Sequence, residues 1–156
     1  MKIFDFLIDE MAMSEGIVRD GNEVVPRLRI FTPEGQFVIF VQLPDDARER
    51  DRLMKLVARF MAWKMAIAFV LSAEMRSPDA ITSFAVTRSE RHGIMRRINR
   101  GAAISFADTE ELDAQTAGDD LLSLLPGRKS AITFEQQREL ERVFGEDGEI
   151  PAHRLA

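Results

Sequence analysis

Residues 59–76, RFMAWKMAIAFVLSAEMR, form the most apolar stretch of the chain and decide its fold. Lys64 divides this stretch, and only residues 65–73 are free of charge, far fewer than the about 20 apolar residues that a membrane-spanning helix needs. Before Lys64, apolar residues recur at helical spacing, at positions 53, 54, 56, 57, 60, 61 and 63. After it, IAFVLSA is continuous and bulky, which is typical of a buried strand. The stretch therefore predicts a helix end followed directly by a central strand.

Upstream of this stretch, residues 25–31 and 36–43 are two strand-like runs separated by the turn sequence TPEG. Pro33 fixes φ in this turn, and Gly35 tolerates a positive φ. The two runs therefore predict a β-hairpin. Pro44 ends the second run, and Asp45 and Asp46 supply an N-cap for a helix that reaches about Trp63.

The N-terminal sequence MKIFDFLIDEMAMSEG predicts an amphipathic helix and not a signal peptide, which would need an unbroken apolar run. Asp5 and Asp9 interrupt the apolar residues, and these recur at helical spacing. The predicted apolar face consists of Ile3, Phe4, Leu7, Ile8 and Met11.

Downstream, sequential strands are predicted at 67–74 and 81–88, and residues 94–106 predict either a bent strand or a strand pair interrupted near Gly101. The order of helix, hairpin, helix and sequential strands predicts an α+β fold. We expect a largely antiparallel sheet with helices packed on one face, plus a C-terminal helix.

The C-terminal third divides into an acidic segment and a helix. Residues 107–120 contain six acids and no base, so 108–130 predicts a linker or loop between the α+β domain (1–107) and a helical appendage (131–156). Thr133 and Gln136 have the spacing of a capping box at the start of this helix, and Gly145 is placed to end it. Its predicted docking face, for this domain or for a partner, comprises Leu140, Val143 and Phe144.

Charge is unevenly distributed along a chain of 156 residues with a formal net charge of −5. Residues 48–100 hold twelve bases and five acids, whereas the remainder holds nine bases and twenty-one acids. Such bases can bind a polyanion, or they can form a solvated surface with residues 108–120 as the intramolecular counter-charge. The anion-binding candidates are a helical stripe and two later arginines: Arg48, Arg52, Lys55, Arg59, Arg96 and Arg97.

Catalytic motifs are missing from the sequence: there is no Cys, no HExxH, no GxSxG, no Walker A loop and no GxGxxG. The two histidines are far apart, which predicts no metal site, and no cofactor is expected. Glu74, at the end of the predicted buried strand, and His92, beside Gly93, are the candidates for a small enzyme site. The alternatives are a structural ion pair for Glu74 and an exposed turn position for His92.

Residues 45–105 contain the pattern W-K-x-A-x-A-F-V-x-x-A-E, which runs from Trp63 to Glu74 and precedes two more strands. This pattern resembles a group of small uncharacterised bacterial α+β proteins. That group has an aromatic residue where this chain has Met75. The resemblance implies the fold and carries no activity.

Together these features favour a non-enzymatic protein–protein interaction module in the cytoplasm, with no membrane segment. The expected partner is an unidentified protein or a second copy of the chain, bound through an exposed sheet edge or an apolar helix face. One alternative is nucleic-acid or polyanion binding through residues 48–59 and 88–100. A second alternative is a small enzyme built around Glu74 and His92.

Overall fold

The computed structural model describes residues 2–41, 44–113, 125–126 and 132–144. The helices in this part of the chain are α1 (Ile3–Arg19), α2 (Ala47–Lys64) and α3 (Phe134–Phe144). The strands are β1 (Arg27–Thr32), β2 (Gly35–Phe40), β3 (Ala68–Arg76), β4 (Asp79–Thr87), β5 (Arg91–Arg100), β6 (Ile104–Phe106) and β7 (Glu110–Leu112).

All seven strands join one antiparallel sheet in the order β2-β1-β3-β4-β5-β6, with β7 pairing with β5. The α+β class, the antiparallel sheet and the C-terminal helix are thus confirmed. Residues 94–106 belong to a strand pair, because β5 ends at Arg100 and β6 begins at Ile104. The sheet also extends beyond residue 107, since β7 lies at the start of the predicted linker.

The helix end and strand predicted from residues 59–76 are confirmed as α2 and β3. Met65 adopts the left-handed conformation, with φ of 55°, and its N–H donates to the carbonyl of Ala62. The N–H of Ala66 donates to the carbonyl of Met61 at 2.9 Å. These two bonds satisfy carbonyls at the helix end and turn the chain directly into β3.

The central strand β3 is apolar on both of its sides, so both faces of the sheet need a cover. Ala68 and Val70 pack with α1, whereas Phe69 and Leu71 pack with α2. The helices therefore lie on both faces, and not on one face as expected from the sequence.

The buried side of α1 also differs from the predicted face. Ile3, Leu7 and Met11 are buried as expected, but Phe4 and Ile8 are 43% and 46% exposed. The face of the sheet under α1 contains polar side chains. Helix α1 therefore buries acidic and hydroxyl side chains there instead of a wider apolar face. The buried polar residues of α1 are Glu10, Ser14 and Glu15.

The C-terminal helix begins as predicted. The N–H of Thr133 donates to the Gln136 side chain at 3.0 Å, and the N–H of Gln136 donates to Thr133 Oγ1 at 3.1 Å, which completes the capping box. Gly145 and most of the predicted linker lie outside the described residues.

Candidate functional site

The candidate site is the outer edge of β2, the terminal strand of the sheet. Within the described residues, β2 pairs only with β1. The register runs from Thr32 opposite Gly35, beside the two-residue turn, to Arg27 opposite Phe40. Among the strands that the structure describes, none covers the other long side of β2.

The direction of each peptide group in β2 follows from this register, because hydrogen-bonded pairs alternate along an antiparallel ladder. The N–H of Val41 donates to the carbonyl of Pro26 at 2.7 Å, which shows that odd-numbered residues face β1. The N–H of Ile67 donates to the carbonyl of Phe31 at 2.9 Å, so Phe31 faces β3 and not β2. The residues whose N–H and C=O groups point away from the sheet are consequently Gln36, Val38 and Phe40.

The side chains along this edge do not block the addition of another strand. Residues 35–43, GQFVIFVQL, contain no charge and no proline, the two devices that most often block edge strands. Phe40 is 45% exposed, and Val25, at the same end of the hairpin, is 40% exposed. The opposite edge is built differently, since β6 and β7 have three residues each and β7 carries Glu110 and Glu111.

A buried ion-pair cluster holds the β1–β2 hairpin against α1. The Glu10 carboxylate, with a side chain 2% exposed, accepts from Arg27 Nε at 3.0 Å and lies 3.4 Å from Arg29 Nη1. Arg29 Nε in turn donates to the Gln36 side chain on β2 at 3.0 Å, and its guanidinium lies 4.7 Å from the Phe6 ring centre. The edge strand is thus fixed in position through its neighbour.

The predicted stripe on α2 contacts α3 and not only solvent. Arg52 lies 3.5 Å and Arg59 lies 3.9 Å from the carboxylate of Glu139. Arg48 and Lys55 are exposed, and neither has an ion pair within the described residues.

The two later arginines are also paired, and they project from opposite faces of the sheet. Arg96 lies 2.6 Å from Glu15 on α1 and donates to the carbonyl of Ala107. Arg97 lies 3.0 Å from Glu110 on β7. Because adjacent residues of a strand point to opposite sides, the structure does not bring all the anion-binding candidates onto one surface.

The predicted docking face of α3 is used at least partly within the chain. Leu140 is fully buried in the core cluster that contains Leu56, Val57 and Phe60. Val143 is 40% exposed, and the side chain of Phe144 lies outside the described residues. Helix α3 therefore packs through Leu140 on the core that includes α2, and Glu139 adds ion pairs with Arg52 and Arg59.

Replacing Leu140 with alanine is expected to lower the free energy of unfolding by about 2–3 kcal/mol, because it empties a fully buried position in the core. Glu139→Ala should cost less than about 1 kcal/mol, since its ion pairs are partly exposed. Urea denaturation of both variants measures the difference. Equal small effects would contradict docking of α3 on its own domain.

Glu74 and His92, the two candidates for catalysis, lie in separate clefts. Glu74 lines a cleft of about 390 Å³ with Asp79 and Arg100, and His92 lines one of about 240 Å³ beside Phe4. In the sheet register, Glu74 is aligned through Ile81 with Arg96, four residues from His92 along β5. That offset alone is about 13 Å, so the two side chains are not brought together.

The Glu74 cleft is an ion-pair network. Glu74 accepts from the N–H of Val24 at 3.2 Å and from Arg100 at 3.3 Å. Arg100 Nε also donates to Asp79 at 2.7 Å, and this hydrogen bond raises the pKa of the Arg100 guanidinium. One arginine thus forms ion pairs with both carboxylates, which is the structural alternative that the sequence left open for Glu74.

In comparisons with known proteins, no family model, curated protein or solved structure matches the chain. The resemblance noted for residues 45–105 stays an expectation. None of the described helices has the length and apolarity needed to cross a membrane. No three acids or histidines of the described residues are grouped as a metal site.

Proposed function

We propose that the protein is a non-enzymatic protein–protein interaction module that pairs the free edge of β2 with an extended strand of its partner. The observation that carries this proposal is the outward direction of three alternate peptide units, at Gln36, Val38 and Phe40, on a strand without charge or proline. Strand addition of this kind draws its affinity from main-chain hydrogen bonds.

Two further features support a strand as the ligand. The buried Glu10 cluster fixes the hairpin before binding, which reduces the ordering cost of association. The exposed ring of Phe40 supplies apolar area at the end of the edge, where a partner side chain would cover it. A cytoplasmic location belongs to this proposal.

Polyanion binding through residues 48–59 and 88–100, the first alternative, has weaker support. Four of its six candidate bases already contact carboxylates, namely Arg52, Arg59, Arg96 and Arg97. A polyanion would have to compete with Glu139 for two of the four bases of the α2 stripe, and Arg96 projects from the other face of the sheet. The enzyme alternative has less support still, because Glu74 and His92 occupy different clefts.

Phe40→Lys is expected to abolish capture of the partner, because it places a charge on the strand edge and removes exposed apolar area. Phe4→Lys is the matched control, since Phe4 is 43% exposed against 45% for Phe40 and lies on α1. Tagged full-length protein and both variants are incubated with nuclease-treated lysate of the source organism, and bound proteins are identified by mass spectrometry. The proposal expects a stoichiometric protein bound by the wild type and Phe4→Lys but not by Phe40→Lys.

Two results would contradict the proposal. A protein held equally by all three forms would place the interface away from β2. A partner captured from a parallel, untreated lysate but not from the nuclease-treated one would instead favour the polyanion alternative, and Arg52→Glu would then weaken binding with a steep dependence on salt.

A further inference from the structure

The edge of β2 has a pattern that fits its own copy. The residues whose N–H and C=O groups point away from the sheet are Gln36, Val38 and Phe40, and Val38 lies midway between the other two. In an antiparallel pair of β2 strands related by a two-fold axis, only a register centred on Val38 pairs all three of these residues with each other. Any shift leaves one of them opposite the turn or beyond the end of the strand.

We infer that a second copy of the chain occupies this edge, with the two Val38 residues facing each other across the two-fold axis; the inference rests on the proposed function. Val38 then pairs with Val38 of the second copy, and Gln36 pairs with Phe40 in both directions. Because each of these is a hydrogen-bonded pair that exchanges both N–H···O bonds, the junction contains about six main-chain hydrogen bonds.

Charge and side-chain chemistry favour a second copy over an unrelated strand. Two copies related by a two-fold axis bring identical charges together near the axis, where they repel each other. Residues 35–43 contain no charged side chain, although 30% of the chain is charged. The nearest acid upstream, Glu34, is four residues from the axis, so the two copies of Glu34 are about 27 Å apart. On the α2 face the register places Phe37 opposite Ile39, an apolar cross-strand pair.

The same register covers the exposed ring of Phe40. It brings Phe40 of one copy opposite Gln36 of the other, whose amide oxygen is already held by Arg29. The seven described strands of each copy would then continue as one sheet across the junction. Isologous pairing of this kind closes after two copies and leaves neither β2 edge free.

Single cysteines test the register, because the natural chain contains none. Val38→Cys, Gln36→Cys and Phe40→Cys are each oxidised with copper phenanthroline in air, and covalent dimers are followed over time. In the inferred register the two Cα atoms at position 38 are about 5.5 Å apart, within disulfide range, whereas those at 36 or 40 are about 14 Å apart. Val38→Cys should therefore cross-link at least about tenfold faster than the other two.

Sedimentation in reducing buffer and far-ultraviolet circular dichroism establish that each variant is folded and dimeric before oxidation. Amide exchange of the unmodified chain provides a second measurement: exchange at Gln36, Val38 and Phe40 should slow as protein concentration rises. Fastest cross-linking at position 36 or 40 would overturn the register. A monomer at every concentration would overturn the second copy as occupant, while loss of a captured partner in Phe40→Lys would still support the proposed function.

Discussion

Replacing Glu10 with alanine is expected to lower the free energy of unfolding by about 3–5 kcal/mol, the largest effect of any single ion-pair change in the described residues. The Glu10 and Arg27 side chains are 2% and 7% exposed, so the change leaves a buried guanidinium without its counter-charge. Arg29 loses the same carboxylate and retains Gln36. Denaturation in urea, with the midpoint and slope compared with the wild type, measures the loss.

Two controls separate burial of charge from loss of packing. Glu110→Ala breaks an ion pair with Arg97 whose side chains are about half exposed, and it should cost less than about 1 kcal/mol. Glu10→Met combined with Arg27→Met replaces the pair with apolar groups and should recover most of the stability. If Glu10→Ala were as mild as Glu110→Ala, the buried cluster would not be what holds α1 on the hairpin.

Proline substitution is expected to distinguish the two sides of β2. Ile39→Pro removes an N–H that faces β1 and should lower the free energy of unfolding by about 3 kcal/mol or more. Val38→Pro removes an N–H that faces outward, so it breaks no bond within the sheet and should cost markedly less. The two positions are adjacent and both side chains are buried, which makes them a matched pair.

Thermal unfolding followed by circular dichroism compares the two proline variants. The melting temperature of Ile39→Pro should fall well below that of Val38→Pro at a protein concentration low enough to exclude association. Equal loss in both variants would mean that the outward-facing N–H of Val38 is already bonded within the chain. The edge of β2 would then be unavailable to any partner.

The local structure could be predicted where short-range chemistry decides it. The change at Lys64 from apolar residues at helical spacing to a continuous apolar run predicts the junction of α2 and β3. The TPEG turn likewise predicts the β1–β2 hairpin. Thr133 and Gln136 likewise predict the start of α3, because both partners of a capping box lie within one turn. Each of these depends on residues that are close in the chain.

The arrangement of the elements could not be predicted in the same way, because it depends on contacts between distant residues. Arg96 meets Glu15 across 81 residues, and Arg52 meets a glutamate on α3. The sequence indicates an apolar run at 36–43 but not that β2 is the outermost strand on its side of the described sheet. The burial of Glu10 on α1 could not be predicted, because counting apolar residues at helical spacing treats every acid as exposed.

Sedimentation equilibrium of the wild type and Val38→Pro tests the pairing of β2 most directly. The wild type should approach twice its chain mass of 17.7 kDa as concentration rises, whereas folded Val38→Pro should remain at 17.7 kDa. A wild type that stays at 17.7 kDa at every concentration, or a folded Val38→Pro that associates as strongly as the wild type, would contradict pairing of two copies through β2.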